Sequence, residues 1–160
     1  MHQILCPVDF SGVSAAALRY ASVFARSWDA RITVVYAEPF SPPPYFTHSQ
    51  VAELEESFQA SRAQAETVLR SFVEKTLGEA APDISIRVVE AAPAEAIRRV
   101  AAETHADLIV MGTHGRTGLR RLALGSVAEK VLRESEVPVL TVRSEQTVPP
   151  RQLTEVHDAV

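Results

Sequence analysis

The chain has a single cysteine, Cys6, among its 160 residues. No disulfide can form within it, which excludes a stapled scaffold and fits a reducing compartment. Long apolar runs are missing too. Leu108-Ile109-Val110-Met111 falls far short of the roughly 20 residues that a membrane helix needs. The opening Met1-His2-Gln3-Ile4-Leu5-Cys6-Pro7 lacks a basic n-region, and its apolar run is too short for a signal peptide. The expectation is therefore a soluble, cytoplasmic protein with no membrane partner. Net charge is −4, so no sequence-wide positive field favours nucleic acid. The histidines His2, His48, His105, His114 and His157 show no metal-ligand spacing. No G-x-G-x-x-G follows the first apolar run, which argues against a dinucleotide oxidoreductase.

What is present is ordinary for a globular α/β domain. The apolar fraction is 46% and the charged fraction 22%. The length is that of one domain, which buries roughly two-thirds of the surface its unfolded chain exposes.

Apolar runs and helical periodicities alternate along the chain. Residues 4–8 read as a buried strand, broken by Asp9-Phe10-Ser11-Gly12. Residues 14–28 carry Ala17, Ala21, Phe24 and Ala25 at helical spacing. Residues 31–37 are β-branched and apolar, a second strand. Residues 39–45 hold four prolines and form an extended loop. That loop is either a linker within the domain or an arm over a ligand or partner. Residues 49–77 form a long helix ending at Gly78, a C-cap. Residues 84–89 alternate as a third strand, and Pro93 suits N1 of a helix over 94–104. Residues 107–111 are a fourth strand. Gly125-Ser126 opens a helix to about 133, and residues 137–142 are a fifth strand. Residues 144–160 lack periodicity and form a tail, leaving a domain over 1–143. Strands this continuously apolar have no wet face, so the pattern predicts a parallel sheet with helices on both faces.

In open α/β sheets ligands sit beyond the carboxyl ends of the strands, where the strand order switches. The segment after strand four has the chemistry for phosphate. Gly112 and Gly115 remove side chains, so backbone N–H groups can approach an anion. Gly125-Ser126 begins a helix, whose orphan N–H groups and dipole favour negative charge. Ser126 adds a hydroxyl, and Arg116, Arg120 and Arg121 add cations. The same features also describe an ordinary strand-to-helix connection.

The spacing Gly112-x2-Gly115-x9-Gly125-Ser126 matches the G-x2-G-x9-G-[S/T] motif of ATP-binding universal stress proteins. The chain resembles that family from Gln3 to Arg143. Further matches are Ile4-Leu5-Cys6-Pro7-Val8-Asp9-Phe10-Ser11, the Pro93-Ala94-Glu95 helix start, Ala106 to Gly112, and Pro138-Val139-Leu140. The resemblance implies a Rossmann-like domain of the adenine nucleotide alpha hydrolase type, with strand order 3-2-1-4-5. It implies that Asp9, with Pro7 and Val8, lies beside the adenosine, and that Tyr36 offers backbone to the base. Met111 and Gly112 would contact the nucleoside. Gly115, Gly125, Ser126 and Val127 would hold the phosphates, with Arg116 and His114 in the same loop.

The implied ligand is ATP, or ADP or AMP, with Mg²⁺ on the phosphates. The implied role is regulatory, in a stress response, with slow or no hydrolysis and with protein partners unidentified. Homodimerisation through strand 137–142 is expected, both from the resemblance and from the apolar edge this strand would present. Two departures stand out: Ala128 replaces a threonine of some relatives, and Ala92 a glycine. An ATPase or nucleotidyl-transfer enzyme is the rival reading. It is weakened because the Ser-Gly-Gly-x-Asp-Ser loop of ATP pyrophosphatases is absent after strand one, and no P-loop lysine is present. An interaction protein with a vestigial site is the third reading.

Several residues invite bland readings. Cys6 reads as a buried strand residue rather than a nucleophile. Phe24 and Trp28 read as core or helix-end residues. Asp9 could cap the first helix, and His114 could be an exposed loop residue.

Overall fold

The computed structural model describes residues 1–38, 48–78, 83–114 and 124–143. Its elements run β1 (Gln3–Val8), α1 (Gly12–Trp28), β2 (Arg31–Glu38), α2 (His48–Leu77), β3 (Ile84–Glu90), α3 (Pro93–Glu103), β4 (Leu108–Gly112), α4 (Ser126–Glu134) and β5 (Val139–Val142). The five strands form one sheet in the order β3-β2-β1-β4-β5. Every neighbouring pair is parallel. The expected topology is thus present, with β1 at its centre. The loop 39–45 and the tail 144–160 lie outside the described residues.

Strand alternation divides the core in two. Ile4, Cys6 and Val8 of β1 face one side with Ile32, Val34 and Val110, beneath α1 and the Leu69 and Val73 turn of α2. Leu5, Val35, Ile109 and Met111 face the other, beneath α3 and α4. Successive side chains of a strand point to opposite faces, so a strand covered on both must be apolar throughout. Ile4, Leu5 and Cys6 are all 0% exposed. Cys6 is the buried strand residue its context suggested, and burial pushes its thiol well above the ordinary range. Trp28 is a helix-end residue, 40% exposed and stacked on Phe24 at 5.0 Å between centroids.

Element ends follow local chemistry. Ser11 Oγ accepts from Ser14 N at 3.1 Å and caps α1. Gly78 closes α2 at φ +68°, the left-handed conformation that glycine reaches without strain. Pro93 occupies the first turn of α3. Two strands start later than expected. β4 begins at Leu108, because the Asp107 carboxylate turns to accept from the backbone N–H groups of His2 (2.6 Å) and Gln3 (3.0 Å). β5 begins at Val139, because Val137 N donates to Ser135 Oγ at 3.1 Å.

The Asp107 bridge ties the start of β1 to the start of β4, and the two backbone donors hold its carboxyl below the ordinary range. A group whose native pKa is depressed stabilises the fold above its unfolded value, near 4. That contribution disappears as pH falls through the native value. Asp107→Ala should lower the melting temperature at pH 7 and flatten the loss of stability below about pH 4. Thermal denaturation from pH 7 to pH 2.5 measures both.

Candidate functional site

The carboxyl ends of β1 and β4 are neighbours, and their following helices lie on opposite faces of the sheet. A crevice must open where connections diverge in this way. A cavity of about 400 Å³ occupies that place. Of the twelve expected site residues, ten line it. Pro7, Val8 and Asp9 come from the end of β1, Tyr36 from β2, and Met111, Gly112 and His114 from the end of β4. Gly125, Ser126 and Val127 come from the start of α4. Gly115 and Arg116 lie outside the described residues, as do Arg120 and Arg121.

The anion-favouring feature is the start of α4. Gly125 is its N-cap, in extended conformation (φ −76°, ψ 154°), and among the described residues no side chain caps the helix. The first intrahelical bond runs from Glu129 N to Gly125 O at 2.9 Å. The N–H groups of Ser126, Val127 and Ala128 therefore stand at the helix terminus, where no earlier turn supplies acceptors. These three residues line the cavity. Ser126 is exposed and Ala128 buried.

The glycines have an internal reason as well. A Cβ on Gly112 would lie 2.9 Å from Val13 Cγ1, below any real contact. One on Gly125 would lie 3.0 Å from the carbonyl oxygen of Thr113, which already accepts from Gly125 N at 2.7 Å. Both residues thus let neighbouring backbone and side chains close in, whatever occupies the cavity.

Asp9 does not cap α1. Its Oδ1 accepts from Ser11 N at 3.1 Å and Ser11 Oγ at 2.6 Å, so it holds the residue that does. Between them Phe10 takes φ 65°, rare for a bulky side chain. Its ring packs on Tyr36 at 4.6 Å and edge-on to Phe72 of α2 at 5.5 Å. Tyr36 joins the α1 and α2 side of the core, while its neighbour Ala37 joins the other. His114 is half-buried, with Nδ1 3.0 Å from Thr113 Oγ1.

Sequence reasoning missed the wall supplied by α3. Pro93 and Ile97 line the cavity, with Ser14, Ala37, Thr113 and Ala128. The spacing of Pro93 and Ile97, one helical turn apart behind a strand end, was the available signal. Thr113 carried none, since its role depends on long-range bonds.

The whole of this domain matches the model of the Universal stress protein family, over residues 1–143, and the chain belongs to that family. A universal stress protein of Methanocaldococcus jannaschii is 35% identical over 145 residues, spanning 88% of this chain and 81% of its own. One from Thermus aquaticus is 35% identical over 144 residues, spanning 88% and 97%. The solved UspA of Lactobacillus plantarum superposes with a TM-score of 0.72 at 28% identity, covering 89% of this chain and 97% of that one. A universal stress protein solved in complex with cAMP gives 0.65 at 26% identity, covering 89% and 96%. Among the described residues no helix is long and apolar enough to cross a membrane.

Gly112→Ala should destabilise the fold by about 1–3 kcal/mol, the range for overpacking. Val13→Ala made in that background should recover part of the loss, because it removes the atom that the new methyl meets. A double-mutant cycle by chemical denaturation reads the coupling. Additive effects would show that Val13 is not the obstacle.

Proposed function

We propose that the cavity binds an adenine nucleotide and that the protein acts as a nucleotide-dependent regulatory protein in a stress response. The observation that carries this reading is the start of α4, uncapped by a side chain among the described residues, opening into a cavity whose remaining wall is mostly apolar. Backbone N–H groups and a helix dipole suit phosphate, while Pro7, Val8, Met111 and Ile97 suit a flat heterocycle. The cAMP complex of a relative at 26% identity supports the base and the phosphate together.

ATP, with ADP or AMP as shorter forms, is the ligand class proposed, with Asp9, Pro7 and Val8 beside the adenosine and Tyr36 backbone toward the base. Gly115, Gly125, Ser126 and Val127 would take the phosphates, with Arg116 as a cation in the same loop. Mg²⁺ fits as a passenger on the phosphates: among the described residues no group of three or more His, Cys, Asp or Glu is assembled to hold it. Asp9 is the carboxylate on the described cavity wall.

The proposed assembly is a homodimer through β5. That strand is a sheet edge, and Val139, Leu140 and Thr141 are all half-buried rather than covered. Sedimentation at micromolar concentration should give a dimer; a monomer would remove this part of the proposal.

Ser126→Glu separates binding from folding. A carboxylate in the first turn favours the helix but repels phosphate. Its melting temperature should equal or exceed that of the wild type, while affinity for ATP falls at least about tenfold, the effect of one lost charge-assisted contact plus repulsion. Calorimetric titration with and without Mg²⁺ measures the change. Unaltered ATP affinity in the folded variant would overturn the placement of the phosphates.

A further inference from the structure

Among the described residues, those other than glycine at positive φ are Phe10, Asp29 and His105. Asp29 and His105 follow the ends of α1 and α3, where a left-handed residue commonly closes a helix. Phe10 ends no helix. It stands between β1 and α1, and it is the bulkiest of the three.

The turn selects the conformation but not the residue. Asp9 Oδ1 accepts from Ser11 N at 3.1 Å, so the Asp9 side chain closes a turn across Phe10. Ser14 N donates to Ser11 Oγ at 3.1 Å and Ser14 Oγ donates to Ser11 O at 2.9 Å, which fastens that turn to the start of α1. Glycine reaches positive φ in such a turn without strain, whereas an L side chain meets its own backbone. Contacts of the Phe10 ring must offset that strain.

Those contacts lead to two other elements. The ring lies 4.6 Å from that of Tyr36, in β2, and 5.5 Å from that of Phe72, in α2, which meets it edge-on. All three rings pack against the core beneath α1 and α2. Tyr36 lines the cavity, and so do Val8 and Asp9, which precede Phe10 in the chain. Phe10 and Phe72 do not, and among the described residues none of the lining belongs to α2. The Phe10 ring thus joins the cavity wall to a helix that does not reach it.

We propose that Phe10 is a positioning residue: its ring, held between Tyr36 and Phe72, anchors the β1–α1 turn to α2 and so keeps the nucleoside side of the cavity in its binding shape. The first half, the anchoring, rests on the three rings alone. The second rests on the nucleotide reading of the cavity. An unanchored turn has to be ordered each time a ligand binds, which lowers affinity without removing a contact to the ligand.

Phe10→Gly and Phe72→Ala, made singly and together, test both halves. Phe10→Gly removes the strain along with the ring; Phe72→Ala leaves the turn intact and deletes its anchor. Hydrogen exchange of the Ser11 amide in the ligand-free protein reads the turn, with the amides of β1 as the reference for global opening. Each single variant should speed Ser11 exchange at least about tenfold relative to that reference. Calorimetric titration with adenosine and with AMP reads the consequence. Each single variant should weaken both ligands by one common factor, about three- to tenfold, the effect of losing preorganisation in one or two side chains. The AMP-to-adenosine ratio should stay at the wild-type value, because the start of α4 is untouched. The double variant should bind no more weakly than Phe10→Gly alone, because Phe72 acts through Phe10.

A Phe72→Ala protein with a lowered melting temperature and wild-type adenosine affinity would reduce the rings to core packing and overturn the proposal. So would losses that multiply in the double variant, or wild-type Ser11 exchange in both single variants. Should either single variant not fold, Phe72→Leu, which keeps the core filled and removes the edge-on ring, should show the same loss of adenosine affinity; wild-type affinity there would overturn the proposal. A wild type that binds neither adenosine nor AMP would remove the nucleotide reading and the second half with it, and Ser11 exchange would still decide the anchoring.

Discussion

One residue at the end of β4, Thr113, joins most of what matters here. Thr113 N donates to Val142 O at 2.8 Å, which closes the last pair of the β4–β5 ladder, Gly112 with Val142. Thr113 O accepts from Gly125 N at 2.7 Å, which fixes where α4 begins. Its side chain meets His114. Backbone groups buried this deeply must find partners, and each of these does. The end of β4 and the start of α4 are both pinned to Thr113. The direction of α4, and with it the aim of its N-terminal N–H groups, follows from that pinning.

The second constraint is close approach. Gly112 admits Val13 of α1 and Gly125 admits the Thr113 carbonyl, so α1, β4 and α4 meet with less than a methyl group between them. Motif glycines are commonly read as making room for a ligand. Two of those here make room for the protein itself, and the cavity forms beside that tight junction. The two readings are compatible, because a rigid rim is what holds backbone donors at fixed positions around an anion.

Much of the fold was legible in the residues. Strands buried on both faces must be largely apolar, and 4–8, 32–37 (Thr33 apart) and 108–111 are so; Gly78 and Pro93 marked helix ends through their fixed backbone preferences. The motif and the wider family resemblance together pointed to ten residues that line the cavity, and the α4 terminus was recognisable from Gly125-Ser126. What escaped depends on tertiary contact. Nothing in Asp9-Phe10-Ser11 announces a phenylalanine at φ 65°, since its ring is held by Tyr36 and Phe72 from distant elements. The residues suggested Asp9 as a cap for α1, and only geometry shows that Ser11 caps while Asp9 holds Ser11. The start of β4 shifted by one residue because Asp107 answers to His2 and Gln3, about a hundred positions away.

The account stands or falls on what fills the crevice between β1 and β4. Mass spectrometry of the small molecules released by acid from freshly purified protein, followed by titration of the emptied protein with ATP, addresses it most directly. The account predicts released adenine nucleotide, or saturable binding in the micromolar range or tighter. A protein that emerges empty and ignores ATP, ADP and AMP at millimolar concentration would contradict it, and the glycines would then serve only the junction of α1, β4 and α4.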